Sequence, residues 1–329
     1  MRKKASLLAA LFVPSVAALA LGGMIAFGTA EAPPPLASVY DNVRCIDQSG
    51  LPPLQRYTAR DSTPLAYRAY PGGGERIAVL VHGSTGMSNA MNALAKALNA
   101  DGATVYALDM RGHGASGRRG DIDYMGQLDD DLVDFMAEIR PRHPGARFAL
   151  IGFSSGGGYA LRIAGGRHGD LFDGYLLLAP YLGYRSPTSR PDGGGWAAPY
   201  IPRIIALSFL DRLGIHWFEG LPIVAFARRP DPAQPVPTYS FRLALNFAPH
   251  LDYLGDFRNA KKPIAVLVGA TDDEMVADAY APLLRSVRPN LPAEVIPGVG
   301  HLGMTIDPPA LAAVRAAFER QLSGDQASS

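Results

Sequence analysis

The hydrophobic pattern changes character several times along this chain, and the changes mark its parts. Residues 54–70 alternate: Gln55-Arg56-Tyr57-Thr58-Ala59, a polar break at residues 60–63, then Leu65-Ala66-Tyr67-Arg68-Ala69-Tyr70. Period-two alternation around a short turn predicts an antiparallel hairpin at a sheet edge. After Pro71-Gly72-Gly73-Gly74 the pattern changes to an unbroken apolar run at residues 77–81, and further strands are expected at residues 104–108, 148–151, 175–178, 263–268 and 293–296. Runs of that kind suit strands covered on both faces of a parallel sheet. Helical stretches are expected between them, at residues 89–99, 127–139, from 159 onward, 277–286 and 308–322. The alternation predicts an α/β domain over residues 54–325, with a mostly parallel central sheet and helices on both faces.

Between residues 181 and 257 that rhythm stops. The stretch is rich in proline and aromatic residues, contains both tryptophans, Trp196 and Trp217, and suggests short helices only at residues 201–213 and 237–247. We read it as a cap inserted over the carboxyl edge of the sheet.

The first 30 residues have a third pattern. Met1-Arg2-Lys3-Lys4 precedes an uncharged Ala/Leu-rich run over residues 5–27, then Gly28-Thr29-Ala30. A basic start, an apolar stretch and a small-residue end describe a secretory signal. The run exceeds the ~7–15 residues of a signal core and approaches the roughly 20 of a spanning helix, so a cleaved signal and a membrane anchor both stay open. Either places the rest of the chain outside the cytosol, periplasmic, secreted or membrane-anchored. Residues 31–53, rich in proline, read as a linker.

Composition narrows the chemistry. With 329 residues, a net charge of +1 and no basic stripe, the chain offers no electrostatic case for nucleic acid. One cysteine, Cys45, excludes an intrachain disulfide and a cysteine-based zinc or redox centre. No H-E-x-x-H or clustered His/Asp set points to a metal. Gly112-His113-Gly114-Ala115-Ser116-Gly117 fits G-x-G-x-x-G, yet charged loop follows where a nucleotide-binding helix should start. No cofactor is expected.

The strand at 148–151 runs into Gly152-Phe153-Ser154-Ser155-Gly156, and a helix follows. In strand–turn–helix context G-x-S-x-G marks a nucleophile elbow, a turn so sharp that the residues two before and two after the nucleophile must be small. Ser154 meets that condition through Gly152 and Gly156. Ser155 fails it because of Phe153, and becomes instead a donor of a backbone N–H to an oxyanion. A serine hydroxyl needs a base, and the base an orienting acid. In such folds the chain order is Ser, acid, His. His301 lies on the glycine-flanked loop after the last strand, where the base belongs. The acid should follow the strand at 263–268, where Asp272 and Asp273 are adjacent. Spacing from Gly269 favours Asp272. The downstream pattern of an acidic and then two apolar residues favours Asp273, which we narrowly prefer. The second oxyanion donor is expected at the backbone N–H of Ser84, in the turn His82-Gly83-Ser84-Thr85-Gly86.

His82-Gly83, Asp109-Met110-Arg111-Gly112-His113-Gly114-Ala115-Ser116, the elbow and Gly300-His301 together resemble the α/β-hydrolase superfamily, and within it the branch of serine aminopeptidase-like proteins, monoacylglycerol lipases and lysophospholipases. The resemblance covers residue 54 to the C-terminus apart from the cap. It implies structural roles for Asp109 and His113, and it departs at Phe153, where this branch often carries histidine. The expected activity is cleavage of a carboxylic ester through an acyl-enzyme, with a small-molecule ester or lipid-like substrate. The cap aromatics Trp196, Tyr200, Phe209, Trp217 and Phe218 suggest an apolar substrate group. An aminopeptidase-like amidase is the alternative, with Asp211, Glu219 and Asp231 as cap acids for a substrate amine. A non-catalytic binding protein on the same fold is a third reading. The filled triad positions argue against it.

Overall fold

The computed structural model describes residues 15–16, 18–36, 48–227, 238–291 and 293–323. The basic start of the chain, the first part of its apolar run, Cys45 and Asp231 lie outside the described residues.

A hairpin of β1 (Leu54–Thr58) and β2 (Pro64–Tyr70) forms one edge of an eight-stranded sheet. Next come β3 (Arg76–Val81), β4 (Thr104–Leu108), β5 (Arg147–Phe153), β6 (Gly174–Leu178), β10 (Ile264–Gly269) and β11 (Ala293–Ile296), in spatial order β1-β2-β4-β3-β5-β6-β10-β11. β2 meets β4 antiparallel, and every pair from β4 onward is parallel. The unbroken apolar runs sit where both faces are covered: residues 77–81 of β3 and all of β6 are buried. Each such Val, Leu or Ile contributes about 1.5–3 kcal/mol relative to an exposed position.

Helices α2 (Asn92–Ala100), α3 (Gln127–Ile139), α4 (Ser155–Gly165), α8 (Ala277–Val287) and α9 (Pro308–Leu322) connect the strands. The acidic start of α3, Asp129 and Asp130, faces the positive end of its own dipole. The stretch expected as helix from residue 89 begins instead as a 3-10 turn at Ser88–Met91.

The cap region holds more β-structure than its pattern suggested. Short strands β7 (Ala197–Pro199), β8 (Pro222–Phe226) and β9 (Thr238–Ser240) form an antiparallel sheet, with α5 (Ile201–Arg212), α6 (Phe241–Asn246) and α7 (Tyr253–Asn259) around it. Of these, β7 and β9 have three residues each, too few to show an alternation.

Residues 18–26 form a helix, α1, whose end packs on the cap. Ile25 is buried among Ala206, Leu207, Ile223 and Phe241. The Arg203 guanidinium donates to the carbonyl oxygens of Ile25 (3.0 Å) and Gly28 (2.6 Å), and the Tyr200 hydroxyl donates to that of Phe27. Arg203 thus satisfies carbonyls that a helix end leaves without intrahelical partners. Among the described residues no helix is long and apolar enough to cross a membrane.

Candidate active site

The turn from β5 into α4 has the sterics expected of an elbow. Ser154 is the residue before α4, at φ +54° and ψ −117°, backbone that non-glycine residues rarely adopt and that costs of order 1–3 kcal/mol. A Cβ on Gly152 would lie 2.0 Å from the carbonyl oxygen of Gly156, and one on Gly156 2.4 Å from that of His82. Strand, helix and the β3 turn approach so closely that only glycine fits. The price of the strain is met by anchoring the turn: the Ser154 N–H donates to the Leu178 carbonyl, and its own carbonyl accepts from Gly158 and Tyr181.

His301 arrives on the loop after β11. Its Nε2 stands 3.0 Å from Ser154 Oγ, and its Nδ1 2.8 Å from Asp272 Oδ2. Asp272 Oδ1 accepts from the N–H groups of Glu274 (2.9 Å) and Met275 (2.6 Å), which fixes the carboxylate's orientation. Gly269 permits the approach of the two loops, since a Cβ there would meet the Val299 carbonyl oxygen at 2.2 Å. Ser154, Asp272 and His301 are all buried. The preference for Asp273 is corrected by this geometry: its side chain is exposed, while the residue before it reaches the imidazole. The loop turns one residue earlier than the downstream apolar pattern implied.

Glu274 was not anticipated. It is buried, and its Oε2 lies 3.4 Å from His301 Nε2, on the edge that faces Ser154. Burial pushes its carboxyl up to about 7, with His301 pulling the other way. For His301 burial disfavours the charged form, but the Glu274 and Asp272 carboxylates outweigh it and raise the imidazole to about 9. In the sequence Glu274 appears only as the acidic residue of the pattern that follows Asp273.

Ser84 and Ser155 flank the elbow on the β3 turn and at the first position of α4. A Cβ on Gly83 would come within 3.2 Å of Ser154 Cβ, so the β3 turn runs directly over Ser154. The cap holds this turn by two bonds. Trp196 Nε1 donates to Ser84 Oγ at 2.8 Å, and the Thr85 N–H donates to the Tyr239 hydroxyl at 2.6 Å. Thr85 itself sits at φ +58°. The same Tyr239 hydroxyl is 2.6 Å from His113 Nε2. His113 and His82 are fully buried, and burial drives both imidazoles toward the neutral form. Asp109 accepts from the N–H groups of Ser88 (2.7 Å) and Ala115 (2.9 Å), tying the loop after β4 to the helix after β3. Phe153 packs its ring against His301, with centroids 4.9 Å apart.

The entrance to the cap is bonded to the acid loop. The Arg190 guanidinium donates to the Asp272 carbonyl, its N–H to the Glu274 carbonyl, and the Val276 N–H to the Thr188 carbonyl. Other cap residues lie differently from expectation. Phe209, Trp217 and Phe218 are exposed, and Tyr200 bonds to the leading segment. Of the five aromatics, Trp196 is the one bonded to the site. Asp211 and Glu219 meet at His216 Nδ1, at 3.4 and 2.7 Å. Among the described residues these three form the one His/acid group whose ligand atoms converge, within 4.8 Å of one another. All three lie between residues 211 and 219, so the group is visible in the sequence as Asp-x4-His-x2-Glu, a spacing that H-E-x-x-H does not match.

A doubly wound sheet with a strained serine at its switch into a helix, and a histidine and aspartate from two later loops, defines an α/β hydrolase. A family profile described as serine aminopeptidase, S33, matches residues 74–305. The chain belongs to that family and is a serine hydrolase. A search of curated protein sequences finds no match. Among solved structures it is similar to a monoacylglycerol lipase from Paleococcus ferrophilus, at 21% identity over 79% of this chain and 98% of that one, with a TM-score of 0.58. It is also similar to a soluble variant of monoglyceride lipase from Saccharomyces cerevisiae (18% identity, 84% and 97% covered, TM-score 0.63) and to a thermophilic esterase from Thermogutta terrifontis (20%, 82% and 99%, 0.58). At these identities the likeness is one of fold.

Proposed function

We propose that this serine hydrolase cleaves a carboxylic ester, with Ser154 as nucleophile, His301 as base and Asp272 as the acid that orients it. The observation that carries the reading is the unbroken relay from Ser154 Oγ through the imidazole to Asp272, at 3.0 and 2.8 Å. His301 takes the hydroxyl proton as Oγ attacks the carbonyl carbon, then returns it to the departing alkoxide oxygen. Water repeats the sequence on the acyl-enzyme. The backbone N–H groups of Ser84 and Ser155 would stabilise the oxyanion, the largest electrostatic contribution in such sites. An ester is favoured over an amide because its leaving group needs less help from the acid, and because Asp211 and Glu219 are engaged with His216. The solved relatives of similar fold are themselves named as lipases and an esterase.

A fluorophosphonate probe tests the assignment. The intact protein should label and Ser154→Ala should not. Labelling that survives the substitution sinks Ser154, and none in the folded protein sinks the acyl-transfer reading. Turnover of p-nitrophenyl esters of rising chain length, set beside aminoacyl anilides, separates ester from amide cleavage. We further propose export, on the basic start and apolar run of residues 1–30. N-terminal sequencing of protein from an exporting host distinguishes a cleaved signal from a retained anchor, and protein found wholly in the cytosol refutes export.

A further inference from the structure

We propose that Glu274 is a second carboxylate of the catalytic machinery, which competes with Ser154 for the reacting edge of His301 and so sets the pH at which the base becomes available. The inference rests on the Ser154–His301–Asp272 assignment and adds a residue to it. His301 has one position at Nε2. When neutral, with its proton on Nδ1 toward Asp272, it accepts the Ser154 hydroxyl proton at 3.0 Å. When protonated, it has an N–H at Nε2 that either Ser154 Oγ or Glu274 Oε2, 3.4 Å away, can attract. A buried carboxylate is the better acceptor for a cationic N–H, since two full opposite charges attract more strongly than a charge and a neutral hydroxyl.

The groups facing this pair are few. Asp272 lies on Nδ1, and Asp273 is the exposed neighbour on the same loop. From the cap entrance Arg190 binds the Asp272 carbonyl rather than either carboxylate, and from α8 comes the buried Tyr280. Within this set the Glu274 charge is the largest influence raising His301, after burial, which acts against it.

The sign follows directly. With Glu274 near 7 and His301 near 9, the pair is ionic between those values, and the imidazole cannot act as a base. Activity should therefore rise on the alkaline side, toward about 9. Removing the Glu274 charge lowers the pH at which His301 becomes neutral. It also removes a stabiliser of the imidazolium formed as Oγ–H breaks, Nε2–H forms and Oγ bonds to the carbonyl carbon. The onset should move down and the alkaline plateau should fall with it.

The test is kcat/KM for a p-nitrophenyl ester, and the rate of fluorophosphonate labelling, measured from about pH 5 to 10 for the intact protein, Glu274→Gln and Glu274→Asp. The glutamine variant should show its midpoint lower by about one unit or more, equivalent to roughly tenfold more neutral imidazole at a given pH below the onset. The aspartate variant, whose charge is withdrawn by one methylene, should fall between the two. A midpoint within about 0.3 unit of the intact protein in Glu274→Gln overturns the proposal. A purely structural role would give that result with a lowered rate at every pH. If the glutamine variant is misfolded by circular dichroism, the aspartate midpoint decides alone, and an unmoved value overturns the proposal. No turnover and no labelling of the intact protein at any pH would refute the triad itself, whereas turnover with an unmoved midpoint refutes only the role of Glu274.

Discussion

Trp196 of the cap donates its indole N–H to the hydroxyl of Ser84, 2.8 Å away, and so joins the cap to the turn that carries a candidate oxyanion donor. The bond spans 112 residues of sequence and fixes a turn whose next residue, Thr85, already sits at positive φ. Trp196→Phe keeps most of the ring and deletes the donor. A hydrogen bond of this kind contributes about 1 kcal/mol. If it positions the Ser84 N–H, kcat for a short p-nitrophenyl ester should fall about fivefold with little change in KM, because the oxyanion exists only in the transition state. A change confined to KM would place Trp196 in substrate binding instead.

The two aspartates of the acid loop should separate by orders of magnitude. Asp272→Asn leaves His301 without its carboxylate, and comparable losses of the orienting acid reduce kcat about ten-thousandfold. Asp273→Asn, at an exposed side chain, should stay within about threefold. Steady-state rates on one ester for both variants make the comparison, and an equal loss in the two would refute the role of Asp272.

Gly152→Ala tests the sterics of the elbow. The added Cβ would meet a backbone oxygen at 2.0 Å, with no flexible side chain to give way. Overpacking against backbone should cost about 3 kcal/mol or more. A fall in Tm, together with slowed fluorophosphonate labelling, is expected, and unchanged values in both would contradict the close approach.

Removing residues 1–30 should loosen the cap. The deletion takes Ile25 from its cluster with Ala206, Leu207, Ile223 and Phe241, a loss of about 1.5–3 kcal/mol of apolar burial. It also leaves Arg203 without the Ile25 and Gly28 carbonyls. Hydrogen exchange in α5 and β8 should increase relative to the full chain, while the central sheet stays protected. Equal exchange in both forms would mean that this contact does not hold the cap.

The sheet was legible because burial on both faces writes an unbroken apolar run. Residues 104–108, buried throughout, could be delimited to the residue, as could the partly exposed edge strand 293–296 and the helices 127–139 and 308–322. Ser154 was legible for a related reason, since the close approach demands glycines at fixed distances on either side. The aspartate that bonds to His301 was not, because two adjacent aspartates satisfy the same local pattern and only the path of the loop decides which one turns inward. Glu274 and the Trp196–Ser84 bond depend on how the cap and the acid loop fall against the elbow. Such contacts join residues far apart in the chain and leave no periodic trace. Two of the cap strands, β7 and β9, have three residues each and were missed for lack of length, and the Asp211–His216–Glu219 group because its spacing does not match H-E-x-x-H.

The ladder between Thr188–Arg190 and the acid loop bears on how caps can be exchanged among relatives. Val276 bonds to Thr188, Ser189 bridges Met275, and Arg190 bonds to Glu274 and Asp272. A chimera cut at the start of the insertion would bring in foreign residues on one side of this ladder and keep the native loop on the other. New specificity grafted in that way would misalign the Asp272 carboxylate that bonds to His301. Cutting after Arg190, so that the strap remains with the hydrolase body, leaves the acid loop its native partner, and a foreign cap then has to supply only the Trp196 and Tyr239 bonds to the β3 turn.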